Sequence, residues 1–291
     1  MNFKKIICIG DSWCAGGELF DPSIFEKDKN GVYIGDEYGE QNIEYRLNNS
    51  WPKRLSELYN CDVENLGVGG LSNAGMARKV RKYYFEEMIN NRDPKDTLAI
   101  ISFTSLYRME FYNPMKENFL QVRLNHPHPN RERELIKAFI NFGFDRASFL
   151  YTYLNIIYDL QNFFKIHEIP YLFTQAFDNP LWDKKLRYHN PVDNRLIYER
   201  IDSKNFLGFE LLNNTFFNVL IGNYSEENYQ SLKLGEDVTF ESLILKPSDF
   251  KSIIQTKEYK DRAKYFAPFG HPSEEGHKLI AKFLKENIDE L

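Results

Sequence analysis

The chain has 291 residues, of which 42% are hydrophobic, and it carries a formal net charge of −5 with a pI near 5.8. This length and apolar content are enough for one large domain with a well-buried core. The acidic balance argues against nucleic acid as a partner, because proteins that bind the phosphate backbone usually carry a basic surplus.

The start of the chain and its cysteines indicate synthesis in a reducing cytosol. The apolar run at residues 6–9 is too short for the core of a signal peptide, and no stretch approaches the length of a membrane span. The three cysteines, Cys8, Cys14 and Cys61, are odd in number and lack metal-ligand spacing, which disfavours a disulfide framework or a zinc site. No membrane partner is predicted, while later release by lysis or incorporation into a particle stays open.

The first predicted strand covers residues 6–9 and ends at Gly10. Its run of apolar residues has no helical period, which is typical of a strand buried on both faces. Asp11 and Ser12 follow, and both are residue types that favour turns and helix N-caps. The Ser12 hydroxyl is therefore expected where a strand gives way to a helix or turn, a place where free backbone N–H groups stabilise a developing negative charge.

The next elements alternate between helix and strand. A polar stretch at residues 18–49 is predicted to be an inserted loop or small hairpin, and a helix capped by Ser50 follows it. A short strand and a glycine turn then lead into a helix that begins near Asn73. The runs DTLAIISFTS and YLFTQAF predict two more buried strands, the first ending near Phe103, with a long apolar helix before the second.

This alternation predicts a doubly wound α/β sandwich, in which sites gather at the carboxyl ends of the strands. Ser12, Gly70 and Ser105 all fall at such ends. The pattern weakens between about residues 178 and 264, which is interpreted as an elaboration of the same domain. Residues 1–291 are therefore predicted to form a single domain with insertions at about 18–49 and 178–264, closed by an amphipathic terminal helix.

A serine-based hydrolytic site requires a nucleophile, a base within hydrogen-bond reach and donors for the oxyanion. Ser12 is the candidate nucleophile. The base must come from the six histidines, which are His126, His128, His167, His189, His271 and His277. His271 is favoured because it lies in FGHPSEEGH, a loop just before the terminal helix that can return to the end of the first strand.

Three motifs, in this order, resemble those of the SGNH (GDSL-type) hydrolases. Residues 10–12, Gly-Asp-Ser, are similar to the family's first block, NLGVGGLSN at 65–73 to its second, and HPSEEGHKLIAKFL to its fifth. The resemblance implies a flavodoxin-like three-layer fold with a mostly parallel sheet, and hydrolysis of ester or acetyl groups without a cofactor. It also implies Ser12 as nucleophile, His271 as base, and the N–H groups of Ser12 and Gly70 as oxyanion donors.

Two positions depart from the family pattern. The third block normally supplies an asparagine donor, but Thr104 and Ser105 stand in its place, so one of their hydroxyls is the expected third donor and Asn73 an alternative. Pro268 stands three residues before the histidine, where the family has its acid. A backbone carbonyl or the distant carboxylate of Asp261 would then orient the imidazole, and the sequence does not choose between them.

The third block also resembles that of a group of SGNH sequences carried by tailed bacteriophages. The shared features are the IGDSW start, an inserted segment before a Trp-Pro helix, and the pattern T-S-x-x-R. Arg108 and Glu110 fit this pattern, and either hold substrate or pair with each other. Asp11, next to the nucleophile, is a further candidate for support of the site.

Other signals favour structural roles. GVGGLS resembles part of a dinucleotide fingerprint, but Ser72 stands where its last glycine should be. His126 and His128 in NHPHPN indicate an extended exposed loop more than a metal pair, so no metal is predicted. Cys14 is the right size for packing at a buried helix start, and His277 is expected to be a satisfied structural histidine.

The sequence thus predicts a serine esterase that hydrolyses a small acyl ester. An O-acetyl group on a carbohydrate is the substrate class taken by analogy with the family. Two alternatives stay open: a non-catalytic SGNH-fold binding or structural module, suggested by the missing asparagine and acid, and an acyltransferase that uses the same site. The segments at 18–49 and 178–264 would form a lid and set specificity.

Overall fold

The computed structural model describes residues 3–106, 108–114, 117–123, 137, 146–177, 180–182, 194–209, 214–222, 260–268 and 270–291. The strands are β1 (Lys5–Ile9), β2 (Asp62–Asn65), β3 (Thr97–Phe103), β4 (Arg108–Asn113), β5 (Asn118–Arg123) and β6 (Tyr171–Gln175). The helices are α1 (Ser12–Ala15), α2 (Ile43–Asn49), α3 (Trp51–Tyr59), α4 (Asn73–Ile89), α5 (Arg146–Ile166), α6 (Asn194–Tyr198), α7 (Phe216–Ile221) and α8 (Glu274–Asp289).

The central sheet has four parallel strands in the order β2-β1-β3-β6. Ile7 of β1 lies opposite Glu64 on one side and Ala99 on the other, so β1 is an inner strand. An order that begins 2-1-3 is that of flavodoxin-like sheets, whose ligands bind outside the carboxyl ends of the strands. The mostly parallel α/β sandwich expected from the sequence is confirmed.

Helices cover both faces of this sheet. Ile7 and Ile9 point to one face, where they pack with apolar residues of α4 and α5. Ile6 and Cys8 point to the opposite face, where they pack with residues of α3, α7 and α8. Strands buried on both faces explain why the apolar runs in the sequence show no alternation with polar residues.

The two segments read as insertions differ in how much of them the structure describes. Residues 18–49 form a loop with an antiparallel bridge between Lys27 and Tyr33, followed by α2. Much of 178–264 lies outside the described residues. The antiparallel hairpin of β4 and β5 was not predicted from the sequence. In the described ranges, no helix combines the length and apolarity needed to cross a bilayer.

Candidate active site

Ser12 begins a short helix directly after β1, as the residue types predict. The Asp11 side chain caps this helix by accepting the N–H of Trp13 at 2.9 Å. Gly16 ends the helix with φ +75°, a left-handed conformation that glycine adopts without a steric penalty. The nucleophile candidate is therefore held in a tight turn at the carboxyl edge of the central sheet.

Ser12 and His271 lie next to each other at the carboxyl edge of the central sheet. Ser12 Oγ lies 2.8 Å from His271 Nε2, within hydrogen-bond distance. The loop that carries His271 is fixed by a hydrogen bond from the N–H of Ala267 to the carbonyl of His271 at 2.8 Å. A Cβ atom at Gly17 would lie 3.0 Å from His271 Cδ2 and 3.2 Å from Ser12 Cβ, so the pair leaves little room for a side chain there.

Glu18 supplies the carboxylate that the sequence did not locate. Its Oε2 lies 2.7 Å from His271 Nδ1 and also accepts the backbone N–H of His271 at 3.0 Å. The side chain of Glu18 is only 6% exposed. Neither expected orienting group occupies this place: Asp261 is exposed on the turn Lys260–Tyr265, and Nδ1 faces a carboxylate and not a backbone carbonyl.

The backbone around Glu18 is held by the segment at 18–49. Glu18 has φ +60°, an uncommon conformation for a residue with a side chain, and its N–H donates to the carboxylate of Glu37. Asn42 is fully buried and donates to the carbonyls of Leu19 and Glu37 at 2.7 and 2.8 Å, while its Oδ1 accepts the N–H of Asp21 at 3.0 Å. One amide side chain thus ties together the parts of the loop that position Glu18.

The predicted oxyanion donors are two buried backbone N–H groups. Gly70 follows β2 with φ +79°, and Ser12 is 3% exposed. Across the described part of the chain, no acceptor takes the N–H of Ser12 or the N–H of Gly70. Because buried N–H groups are nearly always paired within a protein, these two are available to a negative oxygen, and their part as oxyanion donors stays a prediction.

Both hydrogen-bond donors of Thr104 already have acceptors within the protein. Its hydroxyl donates to Asp11 Oδ2 at 2.7 Å, and its N–H donates to Asn73 Oδ1 at 2.8 Å. A hydroxyl has a single proton, so the expectation that Thr104 Oγ1 serves the oxyanion is wrong. Asn73 Nδ2 donates one of its two protons to the carbonyl of Thr104 at 3.0 Å. That the second proton of this amide serves as a substitute oxyanion donor stays a prediction.

Ser105, Arg108 and Glu110 occupy the turn after β3 and the start of β4. Ser105 is half-buried and its carbonyl accepts the N–H of Arg108, so its part as third oxyanion donor stays a prediction. The expectation that Arg108 and Glu110 pair with each other is wrong. Arg108 forms an ion pair with Asp11, whereas Glu110 pairs with Arg78 of α4 at 2.9 Å.

Two other residues of the motifs have structural surroundings. Burial raises the pKa of the Cys14 thiol well above its usual range, and Sγ contacts Asn65 Oδ1 at 3.4 Å, as expected for a packing residue. His277 is fully buried, and its Nδ1 accepts the N–H of Trp51 at 3.1 Å. Burial lowers the pKa of His277 to about 3, so this imidazole is neutral in the folded protein. His126 and His128 lie outside the described residues.

The fold and these contacts define an α/β protein in which Ser12, His271 and Glu18 are joined by successive hydrogen-bond contacts. Such an arrangement has the geometry of a catalytic triad, in which the acid orients the imidazole and the imidazole takes the serine proton. It stands at the carboxyl ends of the strands, where flavodoxin-like sheets place their sites.

No protein-family model matches the sequence, and no curated protein matches it. The structure is similar to that of a lipolytic G-D-S-L family member from Veillonella parvula, at 12% identity over 99% of each chain, with a TM-score of 0.38. It is similar to a psychrotrophic esterase from Pseudoalteromonas sp., at 11% identity over 99% of this chain and 97% of that one, with a TM-score of 0.42. It is also similar to a catalytic mutant of an acetylxylan esterase from Geobacillus stearothermophilus, at 13% identity over 99% and 95%, with a TM-score of 0.39.

Proposed function

We propose that this protein is a serine esterase of the SGNH type, with Ser12 as nucleophile, His271 as base and Glu18 as the orienting acid. The observation that carries the proposal is the continuous contact from Ser12 Oγ to His271 Nε2, at 2.8 Å, and from His271 Nδ1 to Glu18 Oε2, at 2.7 Å. The motif resemblance supports the same assignment of Ser12 and His271. The presence of Glu18 weakens the case for a non-catalytic module, which rested partly on a missing acid.

In the first half of the proposed reaction, Ser12 Oγ attacks the carbonyl carbon of the ester while its proton moves to His271 Nε2. Glu18 holds the proton on Nδ1 and stabilises the imidazolium that forms. The carbonyl oxygen becomes negative and is stabilised by the N–H groups of Ser12 and Gly70. The tetrahedral intermediate then releases the alcohol, which takes the proton from Nε2 and leaves the acyl group on Ser12.

In the second half, water enters as the nucleophile. His271 Nε2 accepts a proton from water as its oxygen attacks the acyl carbon, and the Ser12 Oγ–acyl bond breaks with return of that proton to Oγ. The products are a carboxylic acid and the free enzyme. The substrate class that we propose is a small acyl ester, with O-acetyl groups on a carbohydrate as the case implied by the motif resemblance.

The test combines labelling by a fluorophosphonate with hydrolysis of a chromogenic acetate ester. We expect the wild-type protein to be labelled at Ser12 and to hydrolyse the ester, and Ser12→Ala and His271→Ala to lose about 10⁴-fold or more in kcat. Ser23→Ala, on the exposed loop, and His167→Ala, after α5, are matched controls for the loss of a serine or a histidine away from this site.

The outcomes separate the alternatives. A wild-type protein that takes no label and hydrolyses no faster than Ser12→Ala is a binding or structural module and contradicts the proposal. A protein that is labelled but releases the chromogenic alcohol only when an alcohol acceptor is added, with the acetyl group recovered on the acceptor, is an acyltransferase. Release of acetate to water in step with consumption of the ester supports the esterase.

A further inference from the structure

The carboxylate of Asp11 is a fully buried charge adjacent to the proposed nucleophile. It is 0% exposed, and beyond capping α1 it accepts the Thr104 hydroxyl at Oδ2. Arg108 Nη1 lies 2.8 Å from the same Oδ2, and the side chain of Arg108 is only 9% exposed. The first residue of β4 therefore meets the turn that carries Ser12 through a buried ion pair.

We infer that Arg108 is a positioning residue of this site, which acts on Ser12 through Asp11. This inference rests on the proposed function. The ion pair joins the start of β4 to the turn after β1. Arg108 holds Oδ2 of Asp11, and this fixes the side chain whose other oxygen, Oδ1, caps α1. Ser12 is the first residue of that helix, so the cap holds the backbone that carries its hydroxyl and N–H.

The ion pair also has an electrostatic consequence for the reaction. Attack by Ser12 places a negative charge on the substrate oxygen, beside the N–H of Ser12 and one residue from Asp11. An unpaired carboxylate so close, itself buried away from solvent, would oppose that charge. The guanidinium of Arg108 neutralises Asp11 and removes this repulsion, while Asp11 keeps its capping role.

A direct contact between Arg108 and substrate is the competing role. Arg108 lines a cavity of about 350 Å³, together with Asn73, Leu106, Glu110, Tyr153 and other residues of α4, β4 and α5. The two roles predict different results when both charges are removed together. If Arg108 acts through Asp11, it is dispensable once Asp11 is neutral; if it touches the substrate, it is not.

The experiment compares Arg108→Gln, Asp11→Asn and the double variant Asp11→Asn/Arg108→Gln. In each, kcat and KM for a chromogenic acetate ester are measured per active site titrated with fluorophosphonate, and thermal unfolding is followed alongside. Titration removes the contribution of misfolded protein, and Ser12→Ala gives the background. If Ser12→Ala retains wild-type activity, the proposed function fails, whatever the other variants show.

We expect Arg108→Gln to lower kcat about 10²-fold with little change in KM, and to lower Tm, because it leaves Asp11 buried and unpaired. Asp11→Asn is expected to lower Tm but to reduce kcat less than Arg108→Gln does, since it leaves no unpaired negative charge beside the oxyanion. The double variant, which keeps the cap through the amide oxygen, is expected to recover Tm and to bring kcat to within about tenfold of wild type.

Two results would overturn the inference. One is a double variant that regains its Tm but stays as slow as Arg108→Gln, which would place Arg108 on the substrate itself. The other is an Arg108→Gln variant with wild-type kcat. If Arg108→Gln does not fold, the double variant decides alone: kcat within about tenfold of wild type supports the inference, and a loss of about 10²-fold or more contradicts it.

Discussion

The loop after α1 and the turn after β3 both place polar side chains near Ser12, but those side chains contact different partners. In the loop after α1, Glu18 directs its carboxylate at the ring of His271. In the turn after β3 and at the start of β4, Thr104 donates its hydroxyl to Asp11 and Arg108 forms an ion pair with it. A polar residue at a motif position is therefore no guarantee of a catalytic contact, and a residue that the motif does not include can make one.

Removing the charge of Glu18 is expected to have the largest effect on activity. Glu18→Gln keeps the size of the side chain but loses its negative charge, so the imidazole loses its tautomer preference and the imidazolium its counter-charge. We expect kcat for a chromogenic acetate ester to fall on the order of 10³- to 10⁴-fold. Asp261→Asn is the matched control and should leave kcat unchanged. A loss of kcat in Asp261→Asn, with no loss in Glu18→Gln, would return the orienting role to Asp261.

Gly17→Ala tests how closely the dyad is packed against the loop after α1. A Cβ atom at this position would lie 3.1 Å from His271 Nε2 and 3.2 Å from Ser12 Cβ. Displacement of the imidazole by a fraction of an ångström should lower kcat by about 10-fold to 10²-fold, because catalysis depends steeply on geometry. Thermal unfolding serves as the control, and a variant with normal Tm and undiminished kcat would show that the packing is looser than the distances indicate.

Asn42→Ala tests whether the loop that carries Glu18 is held by one buried amide. The substitution leaves the carbonyls of Leu19 and Glu37 and the N–H of Asp21 without their partner. We expect the free energy of unfolding, measured in denaturant, to fall by about 2–4 kcal/mol, with a smaller loss of kcat than in Glu18→Gln. Asn30→Ala, on the exposed part of the same loop, should change neither quantity.

His277 predicts a pH dependence of stability. Its pKa of about 3 lies below the usual value of 6.5, so between these values the unfolded state binds a proton that the native state does not. Stability should therefore fall as the pH decreases from 6.5 towards 3, by at most about 1.4 kcal/mol per pH unit. His277→Asn keeps an acceptor for the Trp51 N–H and should lose stability less steeply, as followed by denaturant unfolding at each pH. Parallel curves for the two proteins would contradict this account.

Much of the scaffold was predictable because its signals are local. The apolar runs of β1, β3 and β6 define buried strands, and Ser72 and Ser273 cap α4 and α8 as their residue types suggest. Ser50 lies at the start of α3 as predicted, but its hydroxyl donates to the carbonyl of Leu47, and His277 takes the N–H of Trp51. The bond between His277 and the Trp51 N–H joins α3 to α8, which are far apart in the sequence, so no local pattern predicts it.

The site was harder to predict than the scaffold for the same reason. Ser12 and His271 follow from motif positions, whereas Glu18 reaches His271 only because its backbone takes a left-handed conformation that Glu37 and Asn42 support. The residue type at position 18 does not favour that conformation. A carboxylate six residues after the serine, just past two glycines that allow the chain to turn back, is the one signal that would have suggested it.

In the proposed mechanism, Ser12, His271 and Glu18 act as one unit. The most direct test measures kcat/KM for wild type, Glu18→Gln, His271→Ala and the double variant under one set of conditions. Because Glu18 acts through His271, we predict that the double variant is no slower than His271→Ala alone, to within about twofold or threefold. Losses that multiply in the double variant would contradict the account, since they would show that Glu18 serves the reaction by a route that does not pass through His271.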